Sequence, residues 1–219
     1  MGYGIRLEVN GPYALFCRPE MKAERVSYDV LTPSAARGIL EAIYWKPEIK
    51  YYIDRIHVCN PIRFTNIRRN EVGSKILASS VLSAMNGGSV PYLSTHEEIQ
   101  QRASMLLRDV RYVIEAHFTL TGKGGERDSE EKHYAILSRR IKNGQCFHQP
   151  CFGNREFPAS FRLFEGEYVP THYTNTGEKD LGFMIFDMDY SDKENISPMF
   201  FRAVMRDGVI DVANSEVIR

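Results

Sequence analysis

The chain has 219 residues and a mass of 25.2 kDa, a length that suits one large domain or two small ones packed together. Apolar residues make up 43% and charged residues 26%, near the averages of globular chains, which excludes disorder, collagen-like repeats and coiled coil. Net charge is zero, yet residues 1–155 carry 22 Lys and Arg against 16 Asp and Glu, while residues 156–219 carry 6 against 12. The basic part invites a polyanionic partner, although such asymmetry can equally follow from which faces of a folded chain meet solvent.

The opening MGYGIRLEVNGPYALF alternates Ile5, Leu7 and Val9, then Tyr13, Leu15 and Cys17, around Gly11-Pro12, and predicts a strand with a bend. It carries no basic leader and no small-residue cleavage site, and no apolar run reaches the roughly 18 residues of a membrane helix, so a cytoplasmic protein is expected. Thr32-Pro33 offers an N-cap followed by proline at the first helical position, and Ala36, Ile39, Leu40 and Ile43 recur at helical spacing up to Lys46-Pro47. Residues 51–65 (YYIDRIHVCNPIRFT) predict strand, broken near Asn60-Pro61. Ser74 to Met85 fits helix or strand and ends at Asn86-Gly87-Gly88.

Residues 109–121 (DVRYVIEAHFTLT) alternate again and predict a strand ahead of the glycine-rich GKGGERDSEE. Asp128 with Glu131 three residues on resembles a capping box, opening a helix over roughly 130–142 that places Tyr134, Leu137 and Ile141 on one face and stops at Asn143-Gly144. Short runs near 159–164, 181–188 and 199–212, the last split by Asp207-Gly208, make the C-terminal third all-β. This order of elements predicts an α+β protein: a ferredoxin-like domain over 1–150 and a C-terminal antiparallel β region over 151–219.

Several chemistries are not encoded. GKGG at 122–125 is not a strand-to-helix phosphate loop. The six histidines are scattered without a metal-ligand spacing, and the cysteines Cys17, Cys59, Cys146 and Cys151 contain no CxxC pair, so reduced thiols, no metal and no cofactor are expected. Asp187 and Asp189 share one face of a predicted strand and could hold Mg²⁺, but an exposed acidic edge explains them as well.

Three places remain. In IYWKP at 43–47, Tyr44 and Trp45 leave a helix end beside Lys46; an aromatic next to a cation can stack a base or hold a phosphate, whereas local sequence alone favours a core role. In PIRFTNIRR at 61–69, Arg63, Arg68 and Arg69 interleave with aromatic and amide groups, a composition that suits single-stranded nucleic acid and equally a solvated strand face. In EEKHYAIL at 130–137, Lys132 and His133 stand at a helix start, where free amides attract phosphate and histidine can move protons near neutral pH. Helix neighbours diverge, so these two converge on one phosphate only if the first turn is irregular; an exposed lysine and a partly buried histidine are the plain alternative.

Taken in order, GPYALFCRP at 11–19, RGILEAIYWKP at 37–47, NPIRF at 60–64, DVRYVIEAH at 109–117 and EKHYAILSRR at 131–140 resemble the subtype I-C (Dvulg) proteins of the fifth CRISPR-associated family, crRNA-processing endoribonucleases of the RAMP superfamily. The resemblance covers nearly the whole chain, and IYWKP combined with a later KHY is its specific part. It implies an RRM-related, ferredoxin-like N-terminal domain with a C-terminal antiparallel sheet. It further implies a metal-independent ribonuclease that cuts CRISPR precursor RNA in the repeat, next to the hairpin, and stays on the 5′ handle of the crRNA within the type I-C Cascade complex. A non-catalytic crRNA-binding subunit of that complex is the alternative.

The catalytic trio so implied is Tyr44, Lys132 and His133; Arg63, Arg68, Arg69, Lys46 and Trp45 are assigned to RNA. Partners implied are the backbone and large subunits of the complex, with target DNA a further candidate. Metal-free cleavage uses the neighbouring 2′-OH as nucleophile and leaves a 2′,3′-cyclic phosphate. It needs a proton carrier (His133), a fixed positive charge for the phosphorane (Lys132) and a hydroxyl that orients the nucleophile or phosphate (Tyr44). Which of Tyr44 and His133 is the base stays open. A glycine-rich loop near the C-terminus, frequent in the superfamily, is not evident in DLGFMIFDMDYS or the tail, so the C-terminal RNA contacts are unassigned.

Overall fold

The computed structural model describes residues 4–21, 24–125, 128–192 and 194–219. Strand β1 (Gly4–Ala14) buries Ile5, Leu7 and Val9 by alternation, and the short β2 (Arg25–Val26) follows. Helix α1 (Pro33–Ile43) starts as its sequence demands: the Thr32 hydroxyl accepts the Ala35 N–H at 3.3 Å, Pro33 opens the first turn, and Ala36, Ile39, Leu40 and Ile43 face inward. The expected interruption at Asn60-Pro61 separates β3 (Ile49–Val58) from β4 (Phe64–Val72).

The ambiguous stretch is helix α2 (Ala78–Met85), which buries none of its residues. Strand β5 (Ile99–Leu120) begins ten residues ahead of the predicted run, because β4 pairs with its first half along Phe64–Leu107 to Val72–Ile99. The bend expected at Gly11-Pro12 does not break β1; Pro12, which has no N–H to give a ladder, is skipped between the pairs Gly11–Val110 and Tyr13–Arg108, and Asp109 opposite takes φ +54°.

Helix α3 (Glu130–Lys142) is capped by Ser129, whose hydroxyl accepts the Lys132 N–H at 3.3 Å, and not by Asp128 as the capping-box pattern predicts. The Asp128 carboxylate is engaged elsewhere, by the Gly125 N–H and the Lys132 ammonium. The buried face of α3 is His133, Leu137 and Ile141, with Tyr134 only half-buried, so the apolar stripe is rotated from the predicted one. After α3 come β6 (Ser160–Leu163), β7 (Glu178–Asp189), β8 (Ser197–Arg206), β9 (Val209–Asp211) and β10 (Val217–Ile218). Asp207 and Gly208, both at positive φ, close the β8–β9 hairpin.

Among the described residues the strands form one sheet in the order β10-β8-β9-β3-β5-β1-β6, with β2 and β4 on β5 and β7 on β8. Every pairing is antiparallel except β2 with β5. Helix α1 packs on β3 and β7, α3 on β6, and the two helices touch. A bidentate pair from Arg37 to Asp187 (3.0 and 2.7 Å) ties α1 to β7, so Asp187 is already committed to a cation. No helix among the described residues is long and apolar enough to cross a membrane.

Candidate functional site

Tyr44 is the C-cap of α1. Its backbone leaves the helix in an extended conformation while its N–H still bonds Leu40 O at 2.9 Å, and its carbonyl accepts the Tyr51 hydroxyl at 2.7 Å. Held at both ends, the ring turns inward and is 3% exposed. Arg140, donating to Ile43 O at 2.8 Å, stands with its guanidinium 5.2 Å from the Tyr44 ring centroid.

His133 lies at the fourth position of α3, 2% exposed, with Phe118 of β5 edge-on at 6.4 Å. Its Nδ1 is 2.9 Å from the Tyr44 hydroxyl, so the two sequence-predicted residues meet although 89 positions separate them. Its Nε2 is buried with no hydrogen-bond partner, and the nearest charge is Asp128 Oδ1 at 3.7 Å.

Lys132 points outward, as the regular helix requires, and is half exposed. The first turn is not irregular; convergence is achieved by Asp128, whose Oδ1 lies 2.5 Å from Lys132 Nζ and also faces His133 Nε2. The second oxygen of Asp128 accepts the Gly125 N–H at 2.9 Å. One carboxylate therefore gathers the two side chains that helix geometry sends apart.

The electrostatics follow from these contacts. Burial pushes the Tyr44 hydroxyl above its ordinary pKa, against the pull of Arg140 and Lys132, so it keeps its proton at neutral pH. Its hydrogen bond to Asp128 raises Lys132, and the same bond, with the Gly125 amide, holds Asp128 below the usual range. Glu48, in the turn between α1 and β3, adds negative charge felt by both Tyr44 and Lys132 and leaves Oε2 unpartnered.

The residues assigned to RNA fall in two places. Trp45, 56% exposed, and Lys46, also exposed, follow Tyr44 directly in the chain. Arg63, Arg68 and Arg69 do not join the cluster: Arg68 pairs with Ala103 of β5, whereas the cluster faces Phe118, fifteen positions further along that strand, at most roughly 50 Å of strand at 3.3 Å per residue. Arg63 and Arg68 are exposed, while Arg69 turns to the other face of β4, where it ion-pairs with Glu156 and lies 5.8 Å from the Phe157 ring centroid. Sequence reasoning missed Asp128 and Arg140 as parts of the site. Helical spacing could have found them, since Asp128 is four residues before Lys132 and Arg140 seven after His133.

Fold and site together define an antiparallel α+β protein with a buried Tyr–His pair, a lysine and a carboxylate at a helix start, equipment for proton transfer beside an anion. The comparisons give the family. The description CRISPR-associated protein (Cas_Cas5) matches residues 4–213, and the chain belongs to that family. It is 51% identical over 217 residues to a protein of Mannheimia succiniciproducens named CRISPR pre-crRNA endoribonuclease Cas5d, covering 97% of this chain and 96% of the relative. It is 38% identical to a Thermus thermophilus protein of the same name, covering 95% and 90%. A crystal structure described as a CRISPR-associated protein superposes with a TM-score of 0.71 at 24% identity, covering 100% of this chain and 97% of the other, which supports the fold.

Proposed function

We propose that this protein is a pre-crRNA endoribonuclease that cuts CRISPR precursor RNA within the repeat, next to the hairpin, by attack of a 2′-OH. It then stays on the 5′ handle of its product as a subunit of the type I-C Cascade complex, alongside the backbone and large subunits. The observation that carries the reading is the contact of Tyr44 with His133, with Asp128 between His133 and Lys132: these are the three residues, from two distant segments, that the resemblance implies as the catalytic trio. The name shared by the two relatives supports the same substrate. The order β3-β5-β1-β6 with α1 and α3 as crossovers supports a ferredoxin-like core. The division into 1–150 and 151–219 is kept as a proposal, supported by the pairing of β7, β9 and β10 each with β8; β6 crosses it by pairing with β1, and β9 by pairing with β3.

The geometry gives each group a task. His133 carries a proton relay in its neutral form. Tyr44 takes the 2′-OH proton as its own passes to Nδ1, and the proton on Nε2 is delivered to the departing 5′ oxygen as the 2′ oxygen bonds phosphorus and the P–O5′ bond breaks. One proton enters the imidazole and one leaves. In the free protein the Asp128 carboxylate lies on Lys132 and over Nε2, the position a phosphate oxygen takes when RNA binds. Lys132 then turns to the phosphate and stabilises the charge that develops on it.

The test compares wild type with Tyr44→Phe, Lys132→Ala and His133→Ala on a labelled repeat hairpin in EDTA, with a second substrate carrying one 2′-deoxy nucleotide at the cut. Expected is cutting by wild type that is lost in His133→Ala and on the deoxy substrate, and reduced by 10²-fold or more, on the order of a general acid–base contribution, in the other two variants. Binding without cutting in all four proteins would make the protein a structural subunit and the trio packing residues.

A further inference from the structure

The face of the sheet away from the helices carries an arrangement that the cluster at Tyr44 does not use. Tyr51 and Phe118 point to the helices, so their neighbours Tyr52 and His117 point the opposite way by strand alternation. These two residues are ladder partners across β3 and β5, and their rings lie parallel, 13° apart with centroids at 5.3 Å. Asp54 holds the His117 Nδ1 at 2.8 Å and fixes the plane of its ring. Lys50 places its ammonium 5.2 Å from the Tyr52 ring centroid. Packing does not explain the pair, since Tyr52 is 40% exposed and belongs to no buried cluster.

On its other flank His117 pairs with Gly4 of β1, which has no side chain; a Cβ there would meet, among the described residues other than its chain neighbours, Ala116 O at 4.0 Å. Next to Gly4 lies a cleft of about 490 Å³ lined among others by Arg6, Asp54, Glu115, Tyr134 and Phe164; the two rings do not line it themselves and adjoin it through Gly4 and Asp54. On the Tyr52 side the approach lies at the edge of β3. Strand β9 pairs only with Arg55 to His57, so among the described residues no strand covers the edge of β3 from Ile49 to Ile53, and that edge begins beside the turn that carries Trp45 and Lys46.

We propose that Tyr52 and His117 form a base-stacking site for a single-stranded stretch of the RNA, which runs from the cleavage cluster over the free edge of β3. The inference rests on the RNA-nuclease reading above. Parallel rings beside an open slot accept the face of any nucleobase, Lys50 meets the phosphate that follows it, and the hydrogen-bonding groups of Arg6, Asp54 and Glu115 line the slot.

The experiment measures affinity by fluorescence anisotropy, at one fixed salt concentration, for an unstructured 12-nucleotide RNA and for the repeat hairpin with the same single-stranded extension. Tyr52→Ala should weaken binding about five- to 150-fold, the range of one lost stacking contact, while Tyr52→Phe and Tyr52→Trp stay within about twofold of wild type. Gly4→Leu, which fills the slot from the flank of His117 while leaving both aromatic side chains in the protein, should weaken binding as well. At saturating RNA Tyr52→Ala should cut at the wild-type single-turnover rate, since the stack lies across the sheet from His133. Wild-type affinity in both Tyr52→Ala and Gly4→Leu would overturn the proposal, as would an equal loss in Tyr52→Phe, which would assign the contact to the hydroxyl. Failure of wild type to cut the repeat would overturn the nuclease reading alone and leave the binding comparison standing.

Discussion

Asp128 shows what a single side chain decides here. It raises the affinity of Lys132 for its proton, so Asp128→Asn should return Lys132 toward the ordinary lysine value of 10.5, a downward shift that an NMR titration of the Lys132 ammonium would read. No change would mean that the pair does not form in solution. Its own carboxyl is held below the usual range, so the contact is present above the ordinary carboxylate pKa and is lost only as pH falls through the lowered value. The pairing of Asp128 with Lys132 was written in their four-residue spacing, yet the same aspartate read as a helix cap. Sequence could not choose between the two because the hydroxyl of Ser129, one residue later, competes for the cap and takes it. As a pair Tyr44 and His133 were reachable only through the resemblance, since nothing local says that a tyrosine ending one helix meets a histidine starting another.

Elements whose ends are fixed by local chemistry were legible, and those fixed by a distant partner were not. Thr32-Pro33 set the start of α1, and Asp207-Gly208 set the β8–β9 turn, because a cap and a two-residue hairpin are decided within four residues. Strand β5 was read only over its second half; its first half is a strand because β4 folds back on it, and Arg102, Ser104 and their neighbours carry no pattern of their own. Helix α2 was ambiguous for the related reason that it buries no face, so it lacks the apolar stripe that distinguishes the two periods. The cap of α1 lies at the opposite end of the helix from the site, because Tyr44 ends the helix that Thr32 begins. Thr32→Ala should cost about 1 kcal/mol in a denaturant titration while leaving Tyr44 in place and the cleavage rate of the folded protein unchanged. A loss of rate without a loss of stability would tie the cap to the chemistry directly.

On the scale of the whole molecule the sheet joins three separate regions proposed to meet RNA: the buried cluster with Trp45 and Lys46 next to Tyr44 in sequence, the Tyr52–His117 stack on the opposite face, and Arg63 and Arg68 on β4 near the other end of β5. The zero net charge concealed this, because acidic residues offset the basic ones in number while being tied up in place, as Glu156 is on Arg69 and Asp187 on Arg37. Arg68 is thereby set apart from Arg69, which the sequence had grouped together. Arg68→Ala should lower the slope of log affinity against log salt by about one unit. Arg69→Ala should leave that slope unchanged and reduce stability, since its partners are a glutamate and an aromatic ring of its own chain. Distance makes a further demand: sites that share no contacts contribute independently, to within about 0.5 kcal/mol. Arg68→Ala should therefore weaken RNA binding by the same factor in the wild-type and His133→Ala backgrounds, and at saturating RNA it should leave the single-turnover rate untouched. A rate that falls with Arg68→Ala would mean that RNA held on β4 positions the scissile phosphate, and that the regions along β5 act as one strained site instead of as separate contacts on a long substrate.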